Sequence, residues 1–185
     1  RDNTTDIMTW STDTPDIVSV DNGLVKALSE GTWKVYVHSG QFSDVCEIAV
    51  VSTSAEGVDL GVSVQWASTN IGASKPSDYG HYYAWGELEP KNEYSWSTYK
   101  WGDGSRLQLT KYVTDASYGL IDNRSRLSPD DDVAYQTLGG KWRLPSKEEL
   151  DELRQGARWT LAELDGSKGY VVTNKVTGKC IFLPL

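Results

Sequence analysis

The chain has 185 residues, a formal net charge of −8 and a pI near 4.7, a balance that disfavours nucleic acid and anionic membrane surfaces, which select for Lys/Arg clusters. No run approaches the roughly 20 apolar residues of a membrane span, so no segment is expected to insert into a bilayer. Ten Tyr and eight Trp stand against two Phe, and such rings with polar tips suit shallow cores, interfaces and sugar-stacking surfaces.

Residues 9–51 read as short strands separated by turns. Met8-Thr9-Trp10-Ser11 runs into the turn material Thr12 to Asp16, and Ile17-Val18-Ser19-Val20 meets Asp21-Asn22-Gly23, where Asn and Gly tolerate positive φ. Leu24 to Leu28 leads to Glu30-Gly31. Thr32 to Val37 and Val45 to Val50 then alternate with period two. This spacing predicts a β-sandwich. The pattern Thr-Trp-Ser-x-Asp-x-Pro-x-Ile-Val-x-Val-Asp-x-Gly-x-Val resembles the bacterial Ig-like group 2 domain, whose members are spacers in surface proteins. Against that family the first strands are absent, so residues 1–54 are expected to be a partial domain, with Trp10, Val18, Val20 and Val35 short of cover. Ser52 to Gly57 is small and polar and reads as a linker.

Two strings follow: Val58-Asp59-Leu60-Gly61-Val62-Ser63-Val64-Gln65-Trp66-Ala67 and Tyr79-Gly80-His81-Tyr82-Tyr83-Ala84-Trp85-Gly86-Glu87. The aromatic stretch Tyr94 to Trp101 gives way to Gly102-Asp103-Gly104-Ser105 and reads as a long loop region. Ser128-Pro129 with Asp130, Asp131 and Asp132 predicts a helix capped by Ser128, running to about Leu138 and stopping at Gly139-Gly140. Trp142-Arg143-Leu144-Pro145-Ser146 opens a second helix, where Ser146 and Glu149 have the spacing of a capping box and Leu150 and Leu153 form an apolar edge. Tyr170 to Thr173 and Cys180 to Leu183 predict a hairpin around Asn174 to Gly178.

Three of these strings carry a resemblance. Val58–Ala67, Tyr79–Glu87 and Gly139–Ser146 occur in the order found in C-type-lectin-like domains of the formylglycine-generating-enzyme type, and most closely resemble the paralogous lectin-like modules of Bacteroidetes and Fibrobacter surface proteins. The fold expected is therefore mainly β with short helices: a partial Ig-like β-sandwich, residues 1–54, followed by an incomplete α+β C-type-lectin-like domain, residues 58–185. In that family a last strand pairs with the first one, so the strand around Val58–Trp66 is expected to show an unpaired edge. Arg1 begins the sequence and Met8 is its one methionine, so it reads as a piece of a longer precursor with any export signal upstream.

The chemistry present is sparse. Cys46 and Cys180 fall in different segments and are expected to be two separate, mostly buried thiols too far apart to bond, so the paired-cysteine oxidation that the enzyme branch of the fold implies is not expected. His38 and His81 likewise fall in different segments, and the sequence has no dinucleotide or phosphate glycine loop. Glu87-Leu88-Glu89-Pro90-Lys91-Asn92 and Asp130 to Asp132 gather oxygen ligands, but Lys91 interrupts the first and the helix end accounts for the second. No metal site, cofactor or catalytic residue is expected.

Binding candidates are aromatic. Tyr83, Trp85 and Trp142 sit inside the family strings, where a core role is the simpler reading, which leaves Tyr82, Trp96, Tyr99 and Trp101 as ligand-binding candidates. The resemblance implies a non-enzymatic, extracellular cell-surface binding or adhesion module for a glycan or protein ligand. The alternative is a purely structural surface-layer or fimbrial component.

Overall fold

The computed structural model describes residues 8–27, 29, 31–50 and 56–185; Leu28, Glu30 and most of the expected linker lie outside the described residues. The chain is mainly β: of the described residues 33% are in strands and 13% helical, with two short helices. Its contacts define two compact units, one of residues 1–79 with 151–185 and one of residues 80–150.

In the first unit, β1 (Thr9–Thr12), β4 (Gly31–Ser39) and β5 (Phe42–Val50) form an antiparallel sheet of order β1-β4-β5. Strands β2 (Val18–Asp21) and β3 (Leu24–Ala27) make a hairpin of their own, turned by Asn22 at φ 47° and Gly23 at φ 82°, as the Asp-Asn-Gly signal predicts. The cover expected to be missing is partly supplied: Val18 and Val35 are buried, and the Trp10 ring lies against Gly23. Among the described strands, β1 and β5 each have one neighbour.

The string from Val58 to Ala67 is not one strand. It folds back so that β6 (Gly57–Val58) pairs with β7 (Trp66–Ala67), each the other's one neighbour. Asp59 accepts from the Gly61 amide at 2.8 Å and Gly61 sits at φ 75°, which turns the chain where an extended strand was expected. Val58 and Leu60 then join Leu153 and Ala157, Val172 and Ile181 in the larger apolar core.

A three-stranded sheet, order β10-β9-β8, supplies the other side of that core: β8 (Arg158–Leu164), β9 (Ser167–Thr173) and β10 (Cys180–Pro184). The β9–β10 hairpin matches expectation. The β8 strand was missed, although Asp165-Gly166 is its signal: both residues take positive φ, 49° and 81°, in a two-residue turn. A second apolar cluster of Val171, Cys180 and Phe182 takes in Ala49 of β5, so the N-terminal sheet packs on the C-terminal one. Cys46 and Cys180 do not bond to each other. Cys180 is buried as expected, whereas Cys46 is exposed, because it lies on an edge strand most of whose side chains meet solvent.

Residues 80–150 hold the complete helix α1 (Val133–Leu138), two 3₁₀ turns (Ala116–Tyr118 and Pro129–Asp131), the start of α2 (Lys147–Gly156), and no strand. The helix expected from Ser128 is broken. Ser128-Pro129 opens a 3₁₀ turn, and α1 begins only after Asp132, whose carboxylate accepts from the Ala134 and Tyr135 amides at 2.9 and 3.2 Å. It stops at Gly139 as the Gly-Gly pair predicts.

The closest backbone approach in the C-terminal sheet is at Gly169. A Cβ there would stand 2.4 Å from the Leu183 carbonyl oxygen and 2.5 Å from the Phe182 ring. Gly169→Ala is therefore expected to destabilise the fold by about 1–3 kcal/mol, read as a Tm lower by several degrees in thermal melts. An unchanged Tm would contradict this packing.

Candidate functional site

The stretch that holds the aromatic candidates has almost no ladder to shape it, so side chains do that work. Glu87 is buried, accepts from the Lys100 amide at 2.8 Å and pairs with Lys91 at 2.8 Å. Lys91 in turn donates to the Thr98 carbonyl at 2.6 Å, and its amide donates to the Tyr94 hydroxyl at 2.9 Å. The segment that gathers oxygen ligands in sequence is thus closed by its own lysine. No group of three or more His, Cys, Asp or Glu suited to a metal ion occurs among the described residues.

The candidates separate into two kinds. Trp101 is half-buried and its Nε1 donates to the Gly86 carbonyl at 2.9 Å. Lys100 and Lys111 lie over its ring, each 4.4 Å from the centroid, and Tyr112 meets it edge-on at 6.2 Å. Tyr99 is half-buried too, donates to the Trp85 carbonyl at 2.8 Å, and burial pushes its phenol up to about 12, with the Glu87 carboxylate adding to the shift. These two rings frame the segment. Trp96 stands edge-on to Tyr99 at 5.9 Å and is 50% exposed, and Tyr82 is 71% exposed with its carbonyl bonded by the Tyr94 hydroxyl. Trp85 and Tyr94 are also exposed. The core role expected of Trp85 from its place in a family string is thus corrected, since the ring meets solvent, and Tyr94 carries no sequence signal that separates it from its neighbours.

Beside this segment the acids play structural parts. Asp131 is buried, bonds to Lys111, accepts from the Tyr112 hydroxyl at 2.5 Å and from Ser128 at 3.0 Å. Burial pushes its carboxyl up, but Lys111, Tyr112 and Ser128 together hold it below the usual carboxylate value. Asp130 to Asp132 were read as complements to a helix end; the structure gives Asp131 to an ion-pair network and Asp132 to the α1 cap.

The Arg143-Leu144-Pro145-Ser146 string folds into one hydrogen-bonded knot. The Ser146 amide donates to Glu149 Oε2 at 2.7 Å while the Glu149 amide donates to Ser146 Oγ at 3.3 Å, the reciprocal capping box its spacing predicts. Arg143 grips the same carboxylate with both terminal nitrogens, one at 2.8 Å. The Leu144 amide reaches Asp132 Oδ2 at 2.9 Å, which ties this string to the α1 cap. His81 sits edge-on to Tyr83 at 6.3 Å.

No family model, curated protein or solved structure matches the chain.

Arg143, with the Ser146 amide, holds the Glu149 carboxyl at about 2, well below its ordinary 4.5. A depressed folded-state value stabilises the fold above 4.5, and that contribution is lost as pH falls toward 2. Glu149→Gln is expected to lower stability at pH 7 by about 1–3 kcal/mol. Denaturant titrations of both proteins should show the gap narrowing from pH 5 down to about pH 2. A gap that is constant over that range would contradict the charged pair.

Proposed function

We propose that this chain is a non-enzymatic, extracellular cell-surface module that binds a glycan or protein ligand through exposed aromatic rings, Tyr82 and Trp96 with Trp85 and Tyr94 beside them. The supporting observation is the exposure of four Tyr and Trp rings between residues 82 and 96, while the neighbouring rings of Tyr99 and Trp101 are half-buried. Exposed aromatic faces of this size bury much area on binding at small entropic cost, and they stack on sugar rings or anchor partner side chains. The resemblance of three ordered strings to lectin-like surface modules, behind an Ig-like spacer, supports the same reading. Anchoring by the chain's own helices does not enter it: among the described residues no helix is long and apolar enough to cross a membrane.

A second reading, a structural surface component, is favoured by one observation. Among the described strands the nine-residue β5 has β4 as its one neighbour, and it is largely exposed, the arrangement through which chains add strands to one another. Loss of a surface structure on gene deletion, with no ligand found, would select it.

A glycan array and a pull-down from surface proteins test the binding reading; silence in both removes it. Given a ligand, Trp96→Ala and Tyr82→Ala should each weaken binding about tenfold while stability stays within about 0.5 kcal/mol. Trp101→Ala should instead cost about 2–3 kcal/mol of stability. Equal effects on Tm at Trp96 and Trp101 would contradict the division between exposed and framing rings.

A further inference from the structure

A different place in the molecule has the makings of a ligand site. Where the β4–β5 ladder packs against the C-terminal hairpin, a cleft of about 240 Å³ is lined by Thr32, Lys34, Glu47, Arg158, Thr173 and Lys175, with the Asn174–Gly178 turn at one side. That volume far exceeds the 10–15 Å³ or so that one water needs and lies just below the roughly 300–1,000 Å³ of pockets for drug-sized ligands, which leaves room for one small molecule.

The lining follows from register. Thr32 and Lys34 share one face of β4, Glu47 is the partner of Lys34 and Ala49 the partner of Thr32, and Ala49 packs on the Val171–Cys180–Phe182 cluster. This face of the N-terminal sheet therefore meets the C-terminal sheet, where Arg158 is the partner of Thr173. Arg158 crosses over to Glu47 at 2.7 Å. Lys175 donates to the Gln155 carbonyl at 3.2 Å, and Lys34 makes no ion pair among the described residues. Three cationic side chains thus stand around one carboxylate, in a chain whose overall charge is −8.

We infer that this cleft binds a carboxylate-bearing ligand of about monosaccharide size, its anionic group held by Lys34, Arg158 and Lys175. The surplus of cations favours an anion, and the arginine's planar fork suits a carboxylate. The volume admits one sugar ring. Glu47 holds Arg158 until a competing carboxylate enters. The cleft is remote in sequence from the aromatic segment, and the inference does not rest on that segment's role.

The test is nuclear magnetic resonance titration of the full chain with D-glucuronate, D-glucose and acetate. Glucuronate should shift the amides of Thr32, Thr173, Lys175 and Gly178, and glucose should leave them in place. Raising salt from about 50 to 200 mM should weaken the binding. Acetate binding as tightly as glucuronate would identify free small carboxylates as the ligand, and weaker acetate would identify a sugar acid; either supports the carboxylate site. Lys34→Ala and Lys175→Ala should each weaken glucuronate about two- to fivefold. Glu47→Gln, which frees Arg158, should tighten it by a similar factor. Trp96→Ala should have no effect. No shift with glucuronate, an equal response to glucose, or weaker binding by a Glu47→Gln protein with an intact spectrum would overturn the inference.

Discussion

A backbone N–H withdrawn from water must find an acceptor, and residues 80–150 have no strand ladder to provide one. Carboxylates take that place. Asp122 accepts from the amides of Tyr112, Val113 and Arg124, Asp132 from Ala134, Tyr135 and Leu144, Glu87 from Lys100, and Glu149 from Ser146. Charge-assisted bonds of this kind are shorter and stronger than neutral ones, so a few of them can fix a chain of turns. The negative charge that composition presents as a statement about partners is thus in good part scaffold.

The same constraint explains why lysine and arginine are placed as they are. A carboxylate drawn partly out of water needs a counter-charge, and Glu87 has Lys91, Asp131 has Lys111, and Glu149 has Arg143. Two of these cations also lie against rings: Lys111 over Trp101 and Tyr112, Lys91 by Tyr94. Acid, cation and aromatic ring form one repeated unit of construction in this region, and they replace the apolar cluster that organises the first unit around Val172 and Ile181.

What was legible in the sequence is what local physics decides alone. The Ser146–Glu149 spacing specifies a capping box whatever surrounds it, Asn22-Gly23 specifies a tight turn, and Gly139 ends a helix. The failures lie where a local signal met a stronger tertiary partner. Ser128-Pro129 has good helix-start chemistry, but Asp131 is drawn to Lys111 and Tyr112, and the helix can begin only after it. Val58 to Trp66 has strand composition, but Asp59 and Gly61 turn it so that Val58 and Leu60 reach the core.

Asn174 shows how a binding surface escapes sequence reading. Its Oδ1 accepts from the Val176 and Thr177 amides at 2.9 and 3.2 Å, while its Nδ2 donates to the Asp59 carbonyl at 3.2 Å. One buried amide side chain therefore shapes the β9–β10 turn and ties it to a segment 115 residues away. That turn carries Lys175 and brings Gly178 against Thr32 of β4. The cleft between the two sheets lies where this turn meets β4 and where the small Ala49 packs against Cys180 and Phe182. None of its charged residues lies in a recognisable motif, since the lining is drawn from four separate stretches of chain. The aromatic candidates present the same problem at short range. Trp96 and Trp101 are five positions apart in one polar, aromatic stretch, and contacts distant in sequence, the Gly86 carbonyl on the second indole with Lys111 and Tyr112 against its ring, separate a framing ring from an exposed one.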